Sequence, residues 1–217
     1  MENNKDVFNS GLQENVETKI LTAARDVFHR RGYDGARMQE IADEAGINKA
    51  LLHYYYRSKD KLFETIFREA VSRIMPRLLE IFQEDIPLEQ KIPKFIDSYI
   101  GLLMANPFMP GFVVRELSSR PDRIIHVFSK LRGPERLKII EQYDEGVREG
   151  RYVDISGEQF LITLVSSCVF PFVARPVVQF VLQKTDQAYQ TFLEERKSAV
   201  AALLLNAIRK PQGDVDE

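Results

Sequence analysis

The chain has 217 residues, 44% of them hydrophobic and 29% charged, with a formal net charge of −2. That balance suits a globular protein with a substantial core, and it means that any nucleic-acid binding must come from a local basic patch, not from total charge. The single cysteine, Cys168, excludes an intramolecular disulfide and a cysteine-based zinc cluster.

In chain order, the opening MENNKDVFNSGLQENVE is polar and lacks the apolar stretch of a signal peptide. Residues 1–14 are therefore expected to form a flexible tail. Ile20, Ala24, Val27 and Phe28 then recur at helical spacing, and Arg30-Arg31-Gly32 supplies a stop, with cations at the negative end and glycine after it. A short helix is predicted from about Arg37 to Ala45, and another from Asn48, a good N-cap, to just before Ser58. Ser58 in turn suits the N-cap of a long helix whose apolar face is Leu62, Ile66, Ala70 and Ile74; Pro76 should bend or interrupt it.

Beyond about residue 85, apolar helical patches are punctuated by Pro87, Pro93, Pro107, Pro110, Pro121 and Pro134. Leu137 to Val147 is amphipathic and ends near Gly150. Two further helices are predicted at about Gly157–Gln183 and Asp186–Arg209, followed by a disordered tail over 211–217. The longest apolar run, LITLVSSCVFPFVA from Leu161 to Ala174, is shorter than the ~20 residues of a spanning helix. A cytoplasmic protein without membrane contact is expected. No segment alternates with period two, so the fold class is all-α.

The two short helices joined by Ala45-Gly46-Ile47-Asn48 outline a helix-turn-helix. Ile41 and Ala42 face inward on the first, and Gly46 supplies the positive φ of a sharp turn. On the second, Ile47, Leu52 and Tyr56 share the inner side. Lys49, Ala50, His53 and Tyr54 then point outward, with Leu51 and Tyr55 on the flanks. Residues 46–61 carry Lys49, Arg57, Lys59 and Lys61 against Asp60 alone. A basic, aromatic-bearing helix of this size fits a DNA major groove.

The segment ILTAARDVFHRRGYDGARMQEIADEAGINKALLHYYYRSKDKLF contains A-x-x-x-F-x-x-x-G-Y, I-A-x-x-A-G-I, L-x-Y-Y-Y and S-K-x-x-L-F in order. With these motifs, Glu17 to Phe67 resembles the DNA-binding domain of TetR/AcrR-family bacterial transcriptional regulators. The resemblance covers about a quarter of the chain. It implies a helix-turn-helix domain over 15–62, an effector-binding and dimerisation domain over 63–210, and a homodimer on a near-palindromic double-stranded operator. Carried over by position, Gln39, Lys49, Ala50, Leu51 and His53 face bases. Arg37, Tyr54, Tyr55 and Lys59 face phosphates, and Asn48 belongs to the same surface as cap of the reading helix. Three departures stand out. Ala36 and Arg37 replace frequent hydroxyl residues, Asn48 replaces a common serine, and His53 replaces a frequent tyrosine, which brings a titratable group to the contact.

In the remainder, Phe160 to Phe172 has little polar face, as in a helix buried on all sides. Phe160, Leu164, Cys168 and Phe172, with Phe192, Val200, Leu203 and Ala207 of the last helix, are expected to form a four-helix dimer interface. The alternative is that these two helices only complete the monomer core. Phe95, Tyr99, Met104, Phe108, Met109, Phe112 and Phe128 are candidates to line an effector pocket, with Arg115, His126, Tyr143 and Arg175 as its polar groups. Aromatics at helical spacing are more often plain core, and Arg175 at a helix end also fits a salt bridge.

The expected function is a ligand-responsive repressor released by a small organic effector. A helical protein-interaction module, or an activator without small-molecule control, is the alternative. No P-loop, dinucleotide fingerprint, His-Glu-x-x-His or nucleophile elbow is present, so no enzyme activity, catalytic residue, metal or cofactor is expected.

Overall fold

The computed structural model describes the backbone of residues 3–119, 121–129 and 137–210. Within these, side chains are described from residue 15 onward except Ile74, Arg123, Val127 and Phe128. The expected tail at 211–217 and the pocket candidate Phe128 lie outside the described side chains. The described backbone is helical throughout, with only an isolated bridge between Tyr152 and Arg209. It divides into two units, residues 1–72 and 73–217.

The first unit holds α1 (Asn3–Gly35), α2 (Met38–Glu44), α3 (Lys49–Tyr55) and the start of α4 (Lys59–Gln83). Helix α1 reaches back through the segment expected as a tail, which contains no proline to stop it. At the other end Gly32 breaks its regular backbone, where a stop was expected. Ile20, Ala24, Val27 and Phe28 form one buried face, meeting Ile41, Ala42, Leu52, Leu62, Phe63 and Ile66. The Phe28 and Phe63 rings meet edge to face at 4.8 Å, and Tyr33 meets Phe63 at 5.1 Å. Such pairs add to the area term because a ring's positive edge meets a negative face.

Helix α4 continues past Pro76, against the expected interruption. Pro76 and Ser72, whose carbonyl loses its donor, are both exposed, which leaves the freed acceptor on the solvent side of the helix.

The second unit contains the end of α4 with α5 (Leu88–Ala105), α6 (Met109–Ser119), α7 (Pro121–Ser129), α8 (Lys138–Arg148), α9 (Gly157–Val173), α10 (Arg175–Val181) and α11 (Asp186–Ile208). Prolines mostly open these helices: Pro87 caps α5, and Pro121 begins α7, where a missing N–H costs nothing. One core joins Leu78, Ile81 and Phe82 to the inner faces of α5, α8, α9 and α11. Helix α5 lies along α11, and α8 along α9. Tyr152 packs so closely under Gly146 that a Cβ there would lie 2.2 Å from the tyrosine ring.

The predicted single helix over 157–183 is broken at Ala174 into α9 and α10, which bend by 79°. Pro176, in the first turn of α10, has no N–H to donate back to α9, so the ladder does not run on through the break. No single helix among the described residues is long and apolar enough to cross a membrane.

Burial corrects the expected dimer interface. Phe160, Leu164, Cys168, Phe172 and Val200 are buried within one chain, so they are core and are unavailable to a second copy. Phe192 is half-buried, and only Leu203 and Ala207 are exposed. The outward apolar residues of α9 and α10 are instead Ile162, Phe170, Val173, Val177, Phe180 and Val181. Burial also pushes the Cys168 thiol up to about 12, so it stays protonated and unreactive.

Among the pocket candidates, Phe95 and Tyr143 belong to one buried core against which Tyr99 and Met104 pack. Tyr143 is wholly buried, stacked between Tyr152 at 5.4 Å and Phe160 at 4.5 Å, and Phe95 stacks on Phe82 at 4.4 Å. Met109 and Phe112 are buried on α6; Tyr99, Met104, Phe108 and Arg115 are half-buried; His126 is exposed on α7. Arg175 is a clip: its guanidinium donates to Asp186 at 2.8 Å and to Gln179 at 3.1 Å, tying α10 to the start of α11. Three clefts, one beside α4 and α5, one beside α10 and one beside α2, are lined by other side chains.

Candidate nucleic-acid interface

The reading surface is built on the turn between α2 and α3. Ile41 and Ala42 are fully buried, and the small Ala42 lets α3 cross closely. Helix α2 ends when Gly46 turns the chain at a φ of 66°, a region that an L side chain enters only with strain. The turn is fastened by Gly46 N–H donating to Asp43 O at 3.1 Å and Ile47 N–H to Ala42 O at 3.0 Å. Asn48 then starts α3 by accepting from Leu51 N–H through Oδ1 at 2.7 Å, which satisfies one of the helix's free amides. The cap of α2 is different: Arg37 occupies the position and makes no side-chain cap bond.

One side of α3 is locked inward. Leu52 is fully buried and Tyr56 nearly so, with the Tyr56 hydroxyl donating to Glu17 at 2.7 Å. Burial first, and the Glu17 carboxylate second, raise that phenol well above the ordinary tyrosine value. Ile47, expected on the inner side, is half-buried.

The opposite side is open. Lys49, Ala50, His53 and Tyr54 are exposed, Tyr54 by 75%, with Leu51 and Tyr55 half-buried at the margins. The Tyr54 and Tyr55 rings meet edge to face at 5.5 Å. Arg37 and Gln39 are exposed on the adjoining end of α2. Gln39 donates to Asp43 at 2.8 Å, so its amide is already engaged within α2. Arg37, Lys49 and Arg57 make no ion pair among the described residues. Glu44 and Glu40 are paired with Arg30 and Arg31 at 2.8 and 3.2 Å. Two of the three acids of α2 are thus offset, Asp43 meeting only the Gln39 amide among the described residues, while the cations beside α3 stay available.

The surroundings of Lys59, a residue expected among the phosphate contacts, add a different role. Its ammonium donates to the carbonyls of Tyr33, Ala36 and Asp34 at 2.7, 3.0 and 3.3 Å, and lies 4.5 Å from the Tyr33 ring centre. These are the unsatisfied carbonyls at the end of α1 and just beyond, a natural seat for a cation. Sequence spacing could not show this, because the partners lie more than twenty residues away.

A family model described as bacterial regulatory proteins of the tetR family matches residues 20–66, which contain α2, α3 and their turn. The regulator YttP of Bacillus subtilis, described as a probable HTH-type transcriptional regulator, is 22% identical over 192 residues, covering 86% of this chain and 92% of that protein. The HTH-type transcriptional regulator RutR of Escherichia coli is 36% identical over 77 residues, a stretch that spans 36% of each protein. A solved TetR/AcrR-family regulator from Thermobifida fusca superimposes with a TM-score of 0.57 at 19% identity, covering 89% of this chain and 98% of that one. The helix-turn-helix of this chain thus matches the tetR family of bacterial regulatory proteins over residues 20–66, and the chain as a whole shares the all-helical fold of TetR/AcrR-family structures.

Proposed function

We propose that the chain acts as a homodimeric, ligand-responsive repressor on a near-palindromic operator. The observation that carries this reading is the division of α3: Leu52 is locked inside while Lys49, Ala50, His53 and Tyr54 stand free beside unpaired cations. Lysine, histidine and glutamine side chains reach base edges in a major groove, and a small residue such as Ala50 permits close approach. Gln39, Lys49, Ala50, Leu51 and His53 are assigned to bases. Arg37, Tyr54 and Tyr55 are assigned to phosphates, and Asn48 sets the start of the helix. Lys59 supports the same surface by holding the end of α1, and any phosphate contact it makes is through what its three carbonyls leave free.

Two reading helices on successive half-sites require two copies. The outward residues Ile162, Phe170 and Leu203 replace the buried interface candidates as the surface for that pairing, since exposed apolar patches mark association sites. Repression is the polarity the family resemblance favours. Effector control follows if a ligand binds one arrangement of the dimer better than the other.

The test is selection of bound duplex from fragmented genomic DNA, followed by sedimentation of the complex. Enrichment of a site with two related half-sites, bound by two chains and released by a small molecule, is expected. Enrichment of no duplex would sink the reading.

A further inference from the structure

Within the second unit, α4, α5 and α11 enclose a cleft of about 530 Å³ that none of the roles above uses. That volume lies in the range of small-ligand sites, about 300–1,000 Å³. One wall carries Arg73 and Arg77 of α4, four residues apart and therefore on one face. Both are exposed and neither has an ion-pair or hydrogen-bond partner among the described residues. Across from them, Lys197 of α11 is held by Asp97 at 3.2 Å and by Glu194 at 2.8 Å. Asp97 is the single carboxylate on the lining, so three cations face one anion. Since Lys197 already neutralises Asp97, the two guanidinium groups are left without counter-charge.

The floor has a different character. Gly101, Leu102 and Ala105 of α5, with the buried Leu78 of α4, form an apolar strip, while Ser98 and Asn106 supply polar groups along its edge. Gly101 keeps the strip open: a Cβ there would meet nothing nearer than Lys197 Nζ at 3.9 Å, so the space beside it is unfilled.

We propose that this cleft binds a small organic anion, its carboxylate or phosphate headgroup taken by Arg73 and Arg77 and its short aliphatic body laid along Gly101, Leu102 and Ala105. Paired guanidinium forks match the planar or tetrahedral oxygens of such headgroups and lose little freedom on binding. The site deepens the ligand-responsive reading above by naming the effector's chemical class, and it rests on that reading only for its regulatory consequence.

The experiment uses the full chain and calorimetry with hexyl phosphate and hexanoate as probes, beside 1-hexanol and inorganic phosphate. Saturable binding of a hexyl anion is expected, tighter than inorganic phosphate and absent for 1-hexanol; the two anions distinguish phosphate from carboxylate recognition. In the double variant R73Q/R77Q affinity for the preferred anion should fall at least tenfold. Gly101→Leu, which fills the floor without altering charge and suits a helix, should cause a similar loss. Unchanged affinity in both variants, or no saturable binding to the wild type at millimolar concentration, overturns the site. Operator affinity is measured in parallel. If the anion binds, the variants lose it, and operator affinity does not respond, the site stands and the ligand-release reading fails.

Discussion

Lys59 shows how much a single residue's role depends on partners distant in sequence. Its ammonium satisfies carbonyls of Tyr33, Asp34 and Ala36, and bonds to a charged group contribute about 1.5–3 kcal/mol when well made. Half-exposure places this site toward the low end of that range. Lys59→Ala should therefore lower unfolding stability by about 1–2 kcal/mol in urea. Stability equal to wild type would show that water replaces the ammonium without loss. The contrast is Lys49, exposed and without an ion pair among the described residues. Lys49→Ala should leave stability unchanged while weakening operator binding by about 1–3 kcal/mol and relaxing specificity at the contacted base pair. Cys168 offers an independent check on burial. With its thiol pushed up to about 12, it should resist a disulfide reagent at neutral pH in the native protein and react fully once unfolded. Rapid native labelling would contradict the packing of α9.

At the scale of elements, the close approach of α8 to the segment after it depends on Gly146. A Cβ at 2.2 Å from the Tyr152 ring forces the ring or the backbone to move, and such overpacking costs about 1–3 kcal/mol. Gly146→Ala should lower the urea midpoint accordingly, and Gly146→Ala with Tyr152→Leu should recover part of the loss. Lys91 of α5 gives a pH signature. Its ammonium is buried and donates to Phe82 O and Gln142 Oε1, and burial lowers its pKa below the ordinary 10.5. Over the interval between the lowered and the ordinary value, the unfolded chain holds more protons than the folded one, so stability from this group rises with pH. The raised Cys168 and Tyr56 values pull stability down over the same range in any variant that keeps them, so the Lys91 signature is a difference: stability of wild type relative to Lys91→Met should rise as pH climbs toward 10.5. A difference that does not change with pH would show that Lys91 is not the source.

The elements also show what was legible in the sequence. The helix-turn-helix was readable because its determinants are local. Asn48 and Ser58 cap the helices that follow them, and Ser58 Oγ accepts from Lys61 N–H at 3.2 Å, while Gly46 takes the left-handed turn. Helix α9 was not readable in the same way. It is apolar on nearly every side, so nothing in its spacing separates the face with Phe160 and Leu164, which meets its own chain, from the face with Ile162 and Phe170. Arg175 was ambiguous for a related reason, since its partner Asp186 belongs to the next helix. Long-range partners decide such residues, and local pattern carries no trace of them.

At the scale of the molecule, the proposed operator binding requires two copies and an exposed α3 on each. Leu203 is 68% exposed and Ile162 65% exposed, so a charge at either should disrupt pairing without disturbing the core. Leu203→Glu with Ile162→Glu should sediment as a monomer at micromolar concentration and lose operator affinity at least tenfold. A dimer that survives both changes would place the interface elsewhere. The central claim, that the outer face of α3 reads DNA, is tested most directly by selecting duplexes from a random pool with the full chain and with Lys49→Ala/His53→Ala. The wild type should enrich one two-half-site sequence and the variant, folded to the same thermal midpoint, should not. Enrichment of the same sequence by both proteins would contradict the account.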